Sequence, residues 1–311
     1  MQAVIEKFIS FNVPPLITLT PQQARQQPTV ADAVRGVLQD RGISTAPAPV
    51  GSVVDRTVPG PAGLLPVRVY TPQGAGPFPV LVYFHGGGWV IATIDTYDSS
   101  CRALCNAAQC VVVSVEYRKG PENPFPAAHE DAYAATQYVM NNVGEFNGIA
   151  GKVAVGGESA GGNLATAVSI LARDRGGRVA VHQLSVYPVA NSDLNTPSMI
   201  ENADAVPLSR SGIQFFVQNY LPNVGDRNSP LIALVNANLQ NLPPVTIVAA
   251  GIDPLRSDGQ ALADRFRAAN VSVRYQVYSG VTHEFFGTGA VVARARDAVS
   301  FAADGLLASF A

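Results

Sequence analysis

Short runs of β-branched residues recur along the chain, and between them lie longer stretches in which apolar residues return every three or four positions. That alternation predicts an α/β fold, a mostly parallel sheet covered by helices on both faces. Strands are expected over 52–58, 66–71, 79–84, 110–116, 152–156, 182–187, 245–250 and 272–278. Middle runs such as Val111-Val112-Val113 and Val245-Thr246-Ile247-Val248 are continuously apolar, as strands buried on both faces are. The first two alternate more, which predicts an antiparallel edge. Helical periodicity appears over 127–142, 162–173, 257–269 and 291–308.

Two stretches break the pattern, 1–48 and 190–244, and the second is too long for a strand-to-helix crossover. Both are read as a cap on a single domain spanning 1–311. The second contains a helix over 208–221, and Val4, Phe8 and Phe11 give the first an apolar face.

Composition narrows the classes. A chain of 311 residues that is 47% hydrophobic buries a large core. A net charge of -2 and a charged fraction of 14% supply no basic field for nucleic acid or an anionic membrane. No apolar run reaches the ~18 residues that a membrane span needs. Glu6 and the pair Pro14-Pro15 spoil the start as a signal peptide, so the expected location is the cytoplasm. Cys101, Cys105 and Cys110 lack zinc-site spacing and are read as reduced thiols near the core, with no metal expected.

The chemistry concentrates at predicted strand ends. Gly157-Glu158-Ser159-Ala160-Gly161 follows one strand and precedes a helix. Small residues permit the sharp turn that lifts a serine hydroxyl clear of the backbone, and the helix N-terminus favours negative charge. The spacing does not fit a dinucleotide fingerprint or a phosphate-binding P-loop, so no cofactor is expected. His85-Gly86-Gly87-Gly88-Trp89 follows another strand. Consecutive glycines expose backbone N–H groups to an oxygen that becomes negative, and Gly87 and Gly88, with Ala160 after the serine, are the expected donors.

Serine needs a general base and a carboxylate that orients it. Of the four histidines, His129 lies within a predicted helix, His182 opens a strand and His85 belongs to the glycine loop, where it serves as an anchor. His283, just after the last strand, is the expected base. Asp253, at the end of strand 245–250, is preferred as its partner over Asp258, which is read as a first-turn acid of the next helix.

These residues resemble the bacterial hormone-sensitive-lipase-like family of α/β-hydrolase esterases from about Pro79 onward. Glu116-Tyr117-Arg118, the block Pro121-Glu122-Asn123-Pro124-Phe125-Pro126-Ala127-Ala128 and Asp253-Pro254-Leu255-Arg256 carry the likeness together with the two glycine motifs. The resemblance implies an eight-stranded hydrolase core, a helical cap and a carboxylesterase acting on small, short- to medium-chain esters through Ser159, His283 and Asp253. Three positions depart from the family pattern, Glu158, Lys119-Gly120 and Glu284. The two glutamates are expected to raise the pKa of the base. The alternatives are a ligand receptor on the same fold, or a lipase or amidase with the same triad. A last strand with an open edge would pair two copies into a homodimer.

Overall fold

The continuous apolar runs form the middle of a sheet. In the computed structural model, which describes residues 1–311, the strands are β1 (Ser52–Gly60), β2 (Gly63–Thr71), β3 (Phe78–Phe84), β4 (Val111–Val115), β5 (Gly148–Glu158), β6 (Gln183–Val186), β7 (Val245–Ile252) and β8 (Val273–Thr282). Their order across the sheet is β1-β2-β4-β3-β5-β6-β7-β8. The β1–β2 and β2–β4 pairs are antiparallel, and every later pair is parallel. The carboxyl ends of β3, β5, β7 and β8 therefore lie along one side of the sheet.

Helices α1 (Gln2–Ser10), α2 (Pro21–Ala24), α3 (Val30–Asp40), α4 (Asp98–Ala108), α5 (Ala127–Asn141), α6 (Ala160–Asp174), α7 (Pro197–Glu201), α8 (Arg210–Tyr220), α9 (Arg256–Ala268) and α10 (Ala293–Phe310) surround it. The pleat of β3 divides the core. Val80, Val82 and Phe84 pack with Ala128, Ala132, Leu164 and Val168 of α5 and α6. Leu81 and Tyr83 face the other way, toward Leu104 of α4 and Ala298 and Ala302 of α10.

Helix α4 has no counterpart among the expected elements. Cys101, Leu104, Cys105 and Ala108 form its buried face at helical spacing, but no side chain caps its start at Tyr97. All three cysteines are buried and unpaired. Strand β5 outruns its predicted 152–156 at both ends, and its carboxyl end reaches Glu158. Helix α6 begins at Ala160, so a single residue, Ser159, makes the turn.

An ion pair between the half-buried Arg118 and a buried carboxylate fixes the segment after β4. Asp131 of α5 is fully buried and accepts from the Arg118 backbone N–H (2.9 Å), from Nε (2.8 Å) and from Nη2 (2.7 Å). Replacing it leaves Arg118 to relax into solvent but strips three charge-assisted bonds. Asp131→Ala is expected to lower stability by about 2 kcal/mol, read as a shift in urea midpoint at constant m-value.

Candidate active site

The turn at Ser159 is forced by the end of β3. A Cβ on Gly161 would lie 1.9 Å from the Phe84 carbonyl oxygen, and one on Gly157 2.4 Å from the same atom. With no other route available, Ser159 takes φ 57 and ψ -116, a left-handed backbone that holds its hydroxyl at the start of α6.

Sheet topology brings two further strand ends to that hydroxyl. His283 follows β8 directly, and its Nε2 lies 3.0 Å from Ser159 Oγ. Its Nδ1 lies 2.8 Å from Oδ2 of Asp253, which follows β7. Asp253 is wholly buried, and its other oxygen accepts from the Leu255 N–H at 2.8 Å. The carboxylate accepts from Nδ1–H, which leaves Nε2 of the neutral ring free to accept the serine proton.

Three carboxyl groups surround this imidazole. Burial pulls the His283 pKa down, but Asp253, by charge and hydrogen bond, and then Glu284 and Glu158 outweigh it and hold the value above the ordinary 6.5. Glu284 Oε1 is 3.9 Å from Nε2 and accepts from Tyr97 OH at 2.6 Å. Burial also raises the Glu284 carboxyl. Its φ of 66 is a left-handed backbone that glutamate disfavours. Glu158 lies beneath the serine, fully buried, and accepts from the hydroxyls of Tyr83 and Tyr187. Burial, reinforced by the charge of Glu284, pushes its pKa up to about 7.

Asp258 is in the first turn of α9, as expected, but it does more than favour that helix. It is buried and accepts from the N–H groups of Ala190 (3.0 Å) and Asn191 (2.9 Å), which fastens the start of the 190–244 insertion. The remaining histidines are structural. Burial pushes the pKa of His85, His129 and His182 down to about 4, so each is neutral. The His85 ring stacks on Tyr117 at 4.3 Å.

Gly87 and Gly88 stand beside the serine in the loop after β3, with φ 94 and 58. Neither N–H donates a hydrogen bond to the protein. A Cβ on Gly87 would come within 2.4 Å of the Ile91 carbonyl oxygen. Ala160 opens α6, where a backbone N–H has no acceptor within the helix. Gly87, Gly88, Ser159 and His283 meet at a cavity of about 930 Å³, which Phe8, Pro14, Leu208 and Phe216 of the two irregular stretches also line. No three His, Cys, Asp or Glu side chains converge as metal ligands would. No helix is long and apolar enough to cross a membrane.

A family model described as the alpha/beta hydrolase fold matches residues 81–287. The carboxylesterase NlhH of Mycobacterium tuberculosis is 42% identical over 253 residues, 79% of this chain and 79% of its own. The chain belongs to the α/β-hydrolase fold family, as a hormone-sensitive-lipase-like carboxylesterase. The carboxylic ester hydrolase LipN of the same organism is also 42% identical, over 75% of this chain but only 64% of its own length. Among solved structures, a hyperthermophilic esterase from the archaeon Pyrobaculum calidifontis superposes with a TM-score of 0.89 at 34% identity, covering 99% of this chain and 96% of its own. The enzyme is a serine hydrolase.

Two outcomes follow for the esterase. Glu284→Gln removes one charge that favours the imidazolium, so the midpoint of the acidic limb of kcat/KM against pH is expected to fall. An unmoved limb would contradict this. Glu158 has its folded pKa raised from 4.5 to about 7, so its stabilising share is complete below 4.5 and disappears as pH rises through 7. That shift corresponds to about 3 kcal/mol. Glu158→Gln is therefore expected to flatten the decline of thermal midpoint between those pH values.

Proposed function

We propose that the esterase hydrolyses small carboxylic esters of short to medium acyl length through an acyl-enzyme. Ser159 Oγ attacks the carbonyl carbon while His283 Nε2 takes the hydroxyl proton, and Asp253 holds the imidazole in its productive tautomer and stabilises the imidazolium. The N–H groups of Gly87, Gly88 and Ala160 receive the oxyanion. His283 returns the proton to the departing alkoxide. Water, deprotonated by the same nitrogen, then attacks the acyl-serine, and as the acyl–Oγ bond breaks His283 returns that proton to Ser159 Oγ and the acid departs. The steps require no cofactor.

The observation that carries this reading is the chain Asp253–His283–Ser159, with contacts of 2.8 and 3.0 Å, opening on a cavity with unused N–H donors. A receptor that had lost its base would not need that arrangement. The cavity's apolar lining favours an uncharged acyl group, and the short to medium length follows the family resemblance. Residues 1–48 and 190–244 are proposed as the cap of a single domain spanning 1–311, supported by their share of the cavity wall. Three unpaired cysteines favour the cytoplasm. The position of β8 at the sheet's edge favours a homodimer through that strand.

A p-nitrophenyl ester series from acetate to palmitate tests the reading. Activity is expected to peak at the shorter members, and Ser159→Ala to lower kcat by about 10⁶-fold while the protein remains folded. A maximum at the long, insoluble esters would overturn the substrate assignment.

A further inference from the structure

Arg25 belongs to no recognisable motif and lies far from Ser159 along the chain, yet its guanidinium is committed to the loop that carries Gly87 and Gly88. Nε donates to the Val90 carbonyl at 2.8 Å, and Nη2 to the Gly120 carbonyl at 2.7 Å. Nη1 and Nη2 also hold both oxygens of Glu122, at 2.9 and 2.6 Å. One planar group thus joins the residue two places after Gly88 to the segment that follows β4.

The loop needs restraint of this kind. Gly87, Gly88, Trp89 and Ala92 all have left-handed backbones, with φ of 94, 58, 59 and 65, and the last two carry side chains that disfavour it. Such a conformation persists only where neighbours over-determine it. The segment after β4 supplies part of the restraint. The Gly120 N–H donates to the Trp89 carbonyl at 2.9 Å, Lys119 Nζ to the Ala92 carbonyl at 3.0 Å, and the Ile94 N–H to Glu116 at 2.9 Å. Lys119-Gly120, the pair that departs from the family pattern, is part of this brace. Arg25 completes it by bonding to both segments, and it comes from the N-terminal segment that lines the cavity.

We propose that Arg25 is a positioning residue of the oxyanion loop: by bridging Val90 and Gly120 it fixes the direction of the Gly87 and Gly88 N–H groups and makes seating of the N-terminal segment a condition for catalysis. The proposal rests on the reading of those N–H groups as oxyanion donors. A lysine cannot replace the group, because a single ammonium on a flexible stem does not reproduce a planar fork that grips two carbonyls and a carboxylate together.

Arg25→Ala, Arg25→Gln and Arg25→Lys test it, with circular dichroism to establish folding and Arg25→Gln read in the same way if the alanine variant does not fold. Each is assayed on p-nitrophenyl butyrate and for inhibition by a trifluoromethyl ketone, whose serine adduct bears an oxyanion, and by the matching secondary alcohol, which bears none. Arg25→Ala is expected to lower kcat by about ten- to a hundredfold and to leave KM within about twofold. Ketone affinity should fall with kcat while alcohol affinity holds. Added guanidinium ion should restore part of kcat in Arg25→Ala but not raise it in the wild type, and Arg25→Lys should stay impaired. Unchanged kcat, a rise in KM alone, or equal weakening of ketone and alcohol would overturn the proposal in favour of a residue that merely anchors the segment. A wild-type enzyme that bound the ketone no better than the alcohol would instead overturn the oxyanion reading itself.

Discussion

The carbonyl of Phe84 occupies the space that any side chain at residue 157 or 161 would need, and the site is organised around that exclusion. Because β3 and β5 are neighbours, with Phe84 paired to Gly157, the chain must leave β5 over the end of β3. The strained backbone of Ser159 is the consequence. The same strand end leads straight into the glycine loop, so nucleophile and N–H donors are placed by one piece of backbone. Parallel order then delivers Asp253 and His283 from β7 and β8 on the same side, where ligands of open α/β sheets bind.

Electrostatics around the imidazole follow from how deeply each acid is buried. Asp253 is hydrogen-bonded to His283 and to a backbone N–H, and it is the main influence holding the base's pKa up against burial. Glu284, at 3.9 Å from Nε2, and Glu158 add to it. Burial pushes the pKa of Glu158 itself up to about 7, so its negative charge builds up only as pH rises through that value. Tyr187 links the two centres: its hydroxyl donates to Glu158 and its ring lies 4.4 Å from that of His283. The acid next to the nucleophile thus changes charge near neutral pH, and when ionised it helps hold the base's pKa up.

Much of this was legible in the sequence because it is local. A continuous apolar run marks a buried strand, and glycine at 157, 161, 87 and 88 marks backbone that cannot carry a side chain. Strand-end placement of Ser159, Asp253 and His283 needed no long-range information. What escaped depends on partners distant in the chain. Arg25 meets Val90, Gly120 and Glu122; Asp258 meets Ala190 and Asn191; Glu158 meets Tyr83 and Tyr187. The early part of β5 was missed because Gly148 joins the sheet beside Phe78 across a register shift, with no apolar pattern to announce it. Helix α4 escaped because cysteine and alanine supply most of its buried face.

The central claim is that Ser159 alone is activated, and that His283 activates it. Peptide mapping by mass spectrometry after treatment with a fluorophosphonate tests this most directly, since the reagent labels a serine in proportion to its activation. A single adduct on the peptide containing Ser159, lost in His283→Ala, is the predicted result. Labelling of another residue, or equal labelling of Ser159 with and without His283, would contradict it.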